Sequence, residues 1–334
     1  MTTSKKHTLP FVTVDAFTTR PFTGNPASVL VFPLTDDKLQ QLAHDDALMQ
    51  HIAAEFNLSE TAYCRELDGG TDDEPRYELR WRTPVAEVPL CGHATLASAY
   101  ALFSQHHPSA STIRFDTRQS GTLFARRTRS TSSTSTNDDD VGLISLDFPM
   151  ASILALSDGH RRLPKILAAV EAATGLSAAD KVVRCAWFDA YDSPLVEISH
   201  DVDLRALDVD AAALGKAGKL VILTQPAPTP ASPADADADA DIHSRVFAAP
   251  LGIDEDPVTG AAHTALAPFW LASGPEARAR LPPGPGGARG GGRTLRARQV
   301  SPRGGEMVVV LDEDERRVEL QGSAVRVMRG EIEL

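Results

Sequence analysis

Four residues of this chain are of types that could do proton chemistry: Glu60, His93, Asp256 and Cys91. Glu60 sits in NLSETAY, just past a helical pattern that ends near Phe56, and enters a strand-like run between Ser59 and Thr61. A carboxyl group placed there can point inward. Burial alone raises a carboxyl pKa, and such a group can take a proton from carbon and return it elsewhere on the same face of a substrate. His93 follows Gly92 directly, and Asp256 stands beside Glu255, shortly before Gly260. Taken singly, each has an ordinary structural explanation. Glutamate is mostly a surface residue, an aspartate before a proline caps a turn, and a buried cysteine packs as a small hydrophobe. Their joint placement around two similar turns is what points to a site.

Each turn carries a glycine where a strand gives way to a helix. Gly92 and Gly260 are expected to use backbone angles closed to other residues and to let a ligand approach the main chain. The first amides of the following helices, at Gly92 and at Gly260 and Ala261, have no intrahelical partner and carry the positive end of the helix dipole. Two such starts predict contacts for a small carboxylate, with Cys91 and Ala261 lining the same turns.

Those turns belong to a weak internal repeat. RWRTPVAEVPLCGHATLASAY, residues 80–100, and RVFAAPLGIDEDPVTGAAHTALAPFW, residues 245–270, share one order. An arginine with a nearby aromatic opens a strand, then come a proline, an acidic residue, a glycine and a helix of small residues. Alternation predicts strands at 8–17, 27–32, 77–83, 142–148, 195–199, 219–224, 306–312 and 324–334. Helical spacing is found at 38–56, 94–103, 164–173 and 262–272. Three polar or Pro/Gly/Ala-Asp tracts, at 130–140, 226–241 and 274–292, cannot bury enough apolar surface to offset chain ordering and predict flexible loops.

The composition narrows the function classes. The 334 residues suffice for two domains, and 42% are hydrophobic. No apolar run reaches the roughly 18 residues of a membrane helix, and the first residues lack a signal-peptide core. A cytoplasmic protein is the expectation. Cys64, Cys91 and Cys185 are odd in number and widely spaced, which suits neither a disulfide framework nor a zinc motif. A net charge of −12 argues against nucleic acid or an acidic membrane as partner.

In sequence order, VDAFTTRPFTGNPASVLVF, NLSETAY, LRWRTPVAEVPLCGHATLASAYAL, GIDEDPVTGAAHTALAPFW and RARQVSPRGGEMVVV resemble segments of the phenazine-biosynthesis isomerase (PhzF-like) family. The final VELQGSAVRVMRGEIEL is similar to it as well. The resemblance implies an α+β fold like that of diaminopimelate epimerase. Two pseudo-symmetric domains each wrap a mostly antiparallel, barrel-like sheet around a central helix, and the site lies in the cleft between them. The domains would span 8–145 plus 317–334, and 146–316. It also implies an enzyme without metal or organic cofactor, commonly a homodimer, acting on a small anionic substrate. Glu60 corresponds to the proton-shuttling glutamate, His93 to the histidine that orients the substrate, and Asp256 to a substrate-contacting aspartate. Gly260 and Ala261 match the second turn's anion contacts. The phenazine enzyme itself isomerises dihydro-3-hydroxyanthranilate. This chain departs from it at Ala261, where that enzyme has a serine, so one hydroxyl contact is missing. Related epimerases use a cysteine at each turn. Cys91 fills the first position here, and Pro257 is read as filling the second, which excludes a two-thiol mechanism. An amino-acid epimerase using Cys91 alone and a non-catalytic binding protein are the alternatives.

Overall fold

The computed structural model describes residues 8–128, 141–228, 239–282 and 293–334. The chain divides into two compact units, residues 1–147 with 321–334, and residues 148–320. Both are mixed α+β and dominated by sheet.

In the first unit, the alternation from residue 8 forms β1 (Thr8–Ala16), which pairs antiparallel with β2 (Asn25–Phe32). Between them, Gly24 sits at φ +71°, and a Cβ there would meet the Ala16 carbonyl at 2.3 Å. The turn that delivers Asn25 therefore requires glycine. The pattern at 38–56, expected as one helix, forms two: α1 (Asp37–Leu42) and α2 (Asp46–Phe56). Asp36 and Asp45 accept hydrogen bonds from the first amides of each, and Asp45 starts a second helix where periodicity alone runs on. Next come β3 (Glu60–Glu66), β4 (Arg76–Arg82) and the short β5 (Glu87–Val88). Then follow α3 (Gly92–Ala101), β6 (Thr112–Asp116), β7 (Thr122–Thr128) and β8 (Leu143–Pro149). β2 and β3 are parallel, β3 and β4 antiparallel, and β4 is flanked by β5 antiparallel and β6 parallel.

The register sorts the side chains. Ala62 faces Trp81 and Cys64 faces Leu79, so Glu60, Ala62 and Cys64 share one sheet face. Tyr63, Leu30 and Phe32 lie on the other face and pack with Leu39, Met49 and Ile52 of α1 and α2. Every residue of α3 from His93 to Ala101 is buried. It packs on β1, β2, β3 and β7, and its small apolar residues fit a helix enclosed by sheet on all sides.

The second unit opens with β9 (Ile153–Leu156), α4 (Leu163–Thr174) and α5 (Ala178–Lys181). β10 (Val182–Phe188), β11 (Ser193–Ile198), α6 (Ala211–Leu214), β12 (Val221–Pro226) and β13 (Ile242–Ala248) follow. β14 (Ile253–Asp256) leads to α7 (Gly260–Leu271), α8 (Pro275–Ala279), β15 (Thr294–Gln299), β16 (Gly305–Asp312) and β17 (Arg317–Gly322). β10 and β11 are antiparallel, β11 and β12 parallel, and β12 and β13 antiparallel. β13 is flanked by β14 antiparallel and β15 parallel. From α4 and α6, Ile166, Val170 and Leu214 pack on Val196, Val221 and Leu223 of the sheet. In α7, Pro268 has no N–H to offer Thr264, whose carbonyl accepts from the Ala151 N–H at 3.3 Å instead. Finally β18 (Ala324–Glu333) pairs antiparallel with β1, far back in the chain.

Two of the expected loops need correction. Pro226 ends β12 rather than starting a loop, and residues 275–279 of the third tract form α8, with Ala277 buried. The tract at 130–140 lies outside the described residues, as do 229–238 and 283–292. No helix among the described residues is long and apolar enough to cross a membrane.

Candidate active site

The first unit gathers three of the four residues singled out above. Glu60 is the first residue of β3, and Cys91 is the N-cap of α3, followed by Gly92 and His93. Glu60 Oε2 lies 3.1 Å from His93 Nε2, with side-chain exposures of 13% and 6%. Cys91 Sγ lies 3.4 Å from Nδ1 on the other edge of the ring. Two residues that sequence reasoning passed over complete the group. Asn25, fully buried at the start of β2, places its amide 3.2 Å from His93 Nδ1. Ser59 Oγ lies 3.3 Å from both His93 Nε2 and the Asn25 amide.

Burial by itself pushes the Glu60 pKa up, as the sequence suggested. The neighbours reverse the sign: His93, Ser59 and Cys91 hold the carboxyl below the ordinary glutamate value. This corrects the expectation of a raised carboxyl, because the His93 charge and the hydrogen bonds to the charged form together outweigh desolvation. Burial also works against a charged imidazole at His93, yet Cys91 and Glu60 together raise it well above its ordinary value. Burial, and next the Glu60 charge, push the Cys91 thiol up. These directions favour a carboxylate facing a protonated ring, with the Cys91 thiol holding its proton beside them.

The donor atoms of Glu60, Cys91 and His93 lie within 4.8 Å of one another, close enough for three such groups to hold a metal ion. The ring, however, meets Glu60 at one nitrogen and Cys91 at the other. The arrangement reads as a hydrogen-bonded acid–base group.

In the second unit, Asp256 ends β14, and Thr259 is the N-cap of α7. The Thr259 hydroxyl donates to the Asp256 carboxylate. Gln299, at the end of β15, accepts from the Thr259 N–H at 2.9 Å and donates to the Asp256 carbonyl at 2.5 Å. Ser301 donates to the Pro257 carbonyl at 2.7 Å. These bonds fix the turn that leads to Gly260 and Ala261. His263, one helical turn in, uses Nδ1 on the Thr259 carbonyl at 2.8 Å, and burial lowers its pKa to about 4.

The helix starts correct two further expectations. Neither Gly92 nor Gly260 has a positive φ, because each is already the first helical residue. Their role is confined to leaving space beside the amides. The residue equivalent to Cys91 is Thr259, not Pro257, since both directly precede the glycine as N-caps. A second thiol is still absent from the turn. In each unit an arginine of the repeat pairs with a nearby glutamate, a contact the order of residues did not foretell. Arg80 donates to both Glu87 oxygens at 2.8 and 2.6 Å, and Arg245 to both Glu255 oxygens at 2.8 Å.

A sheet-rich α+β chain with a buried carboxylate–imidazole pair at a helix start belongs to a class that can be looked for among known proteins. A family model described as phenazine biosynthesis-like protein, PhzC-PhzF, matches residues 14–330. The phenazine biosynthesis-like domain-containing protein 2 of Mus musculus is 37% identical over 338 residues, covering 96% of this chain and 98% of that protein. An uncharacterized isomerase of Halalkalibacterium halodurans is 34% identical over 327 residues, covering 97% and 98%. The crystal structure of a PhzF-family protein from Enterococcus faecalis is similar with a TM-score of 0.72 at 32% identity, covering 98% of this chain and all of that one. The chain belongs to the PhzC-PhzF, phenazine biosynthesis-like family, whose relatives include proteins named as isomerases.

Proposed function

We propose that this protein is a cofactor-independent isomerase that moves a proton on a small carboxylate-bearing metabolite, with Glu60 as the group that carries it. The supporting observation is the Glu60–His93 contact of 3.1 Å, almost closed to water but not wholly so. Glu60 takes a proton from one substrate carbon as a carboxylate. As a carboxylic acid it returns that proton to a second carbon while the double bond shifts between them. Only a proton and an electron pair within the substrate move, so the step needs no oxidant or reductant.

The low pKa of Glu60 sets which half of the step is demanding. A weakly basic carboxylate removes a carbon-bound proton only where the substrate already acidifies that carbon. Once protonated, it is a better acid than an ordinary glutamic acid and returns the proton readily. An activated position next to a carbonyl or within a conjugated acid meets that requirement. The matching order of strand pairings in the two units supports reading them as copies of one topology, in keeping with the repeat at 80–100 and 245–270. A homodimer in the cytoplasm is part of the proposal, and light scattering of the purified protein tests the dimer.

The central test is solvent deuterium entering small cyclic and amino-acid carboxylates, followed by mass spectrometry, for wild type and Glu60→Gln. Exchange of at least one compound is expected, falling by about 10²–10⁴-fold in the variant. Equal exchange by a folded Glu60→Gln protein ends the assignment.

A further inference from the structure

Asn25 is fully buried, and its amide contacts both His93 and Ser59. Counting protons in this cluster assigns it a task. Glu60 is held by three neighbours: His93 Nε2, Ser59 and Cys91. Ser59 has one hydroxyl proton. If that proton goes to the Asn25 oxygen 3.3 Å away, none is left for Glu60. The Asn25 NH2 is placed toward His93 Nδ1 and its oxygen toward Ser59, and a half-turn of the amide, which keeps its shape, exchanges them. With its oxygen toward His93 Nδ1, Asn25 accepts a proton from the ring, and its NH2 donates to Ser59 Oγ. The Ser59 proton is then released to Glu60. His93 Nε2–H points at Glu60 as well, and the Cys91 thiol has its own proton to give. With the Ser59 proton on Glu60, this orientation gives the Asn25 NH2 an acceptor at Ser59 Oγ, whereas the reverse sets the Asn25 oxygen against the Ser59 oxygen.

We propose that Asn25 is the positioning residue of this site. Its carbonyl holds the proton on His93 Nδ1 and its NH2 turns the Ser59 hydroxyl, so that ring and hydroxyl both donate to Glu60. The inference rests on Glu60 being the working carboxylate, but it concerns the free protein and is tested without a substrate. The role is that of an acceptor behind a histidine, which selects the form of the ring that faces the reaction. The backbone supports it. Asn25 is the first paired residue of β2, opposite Ala16, and reaches that place through the glycine-only turn at Gly24.

The test uses 15N-labelled full-length protein and long-range proton–nitrogen correlation of the histidine rings at neutral pH. His93→Gln identifies the His93 signals. Wild type is expected to show both His93 nitrogens as N–H. Asn25→Asp, of the same size and able only to accept, should retain that pattern. Asn25→Leu should move the Nδ1 signal to that of a bare nitrogen, with circular dichroism confirming the fold. A bare Nδ1 in wild type overturns the proposal, and so does an Asn25→Leu protein whose His93 signals match wild type. If Asn25→Leu does not fold, Asn25→Asp decides: loss of the Nδ1 proton there refutes the acceptor role. Failure of Glu60→Gln to abolish exchange would instead remove the isomerase reading and leave these spectra unchanged.

Discussion

Replacing Glu60 by glutamine removes a negative charge 3.1 Å from a ring that is nearly closed to water. At an effective dielectric near 20, that contact is worth about 5 kcal/mol before the cost of burying the two charges. Removing one partner of a buried pair typically costs about 3–5 kcal/mol when the other stays charged. His93 can avoid part of that cost by giving up its proton, so the loss must depend on pH. In wild type the His93 pKa is raised, and its contribution to stability is complete below the ordinary value of 6.5 and fades as pH climbs through the folded value. In Glu60→Gln the ring loses the charge and the hydrogen bond that Glu60 supplied, so its folded pKa drops below the wild-type value. The variant therefore keeps less of that low-pH contribution than wild type. The gap widens at low pH. Glu60 itself, lowered from 4.5, contributes fully throughout this window. Urea unfolding should show a deficit of about 3 kcal/mol near pH 5.5 and about 1 kcal/mol near pH 8. The same deficit at both pH values would refute the coupling between these two groups.

Other outcomes follow from the same geometry. Cys64 and Cys185 are pushed up to about 12 by burial, and Cys91 is raised as well. Native protein at neutral pH should therefore label with a disulfide reagent far more slowly than urea-unfolded protein, and rapid loss of one thiol would revive a Cys91 nucleophile. His263, lowered from 6.5 to about 4, favours the folded state fully above 6.5, and that contribution is lost as pH falls toward 4. His263→Gln should flatten this part of the acid denaturation profile by up to about 3 kcal/mol, from 2.5 pH units at 1.36 kcal/mol each. Gly24→Ala should cost more than about 1 kcal/mol in thermal or urea unfolding, because of its positive φ and the Ala16 carbonyl.

Much of this architecture could be read from local patterns. Eight alternating runs became strands, and the two enclosed helices were visible as small-residue stretches following glycine. The repeat was legible as an order of residue types, but its ion pairs, Arg80 with Glu87 and Arg245 with Glu255, were not read from that order. What escaped depends on contacts made at long range. Asn25 and Ser59 meet His93 across 68 and 34 residues of chain. No spacing rule connects a residue in TGNP to one in CGH. The sign of the Glu60 shift failed for the same reason, since burial can be inferred from a strand position but the donors around it cannot. The match of Thr259 to Cys91 was obscured by counting along the turn, whereas the helix cap settles it. The break between α1 and α2 was a local signal overlooked, an aspartate cap inside an apparently continuous period.

The return of β18 to β1 has a consequence for how the protein is made. The second unit, 148–320, is continuous in sequence and has all its strands once synthesis passes β17. The first unit holds the Glu60 cluster but must wait for residues 324–333 before β1 gains its second neighbour. Until then a nascent chain carries an open, largely apolar edge, a known liability for mispairing between molecules. A stop codon or protease cut just ahead of Ala324 would thus do its damage not at the tail but in the half of the molecule translated first.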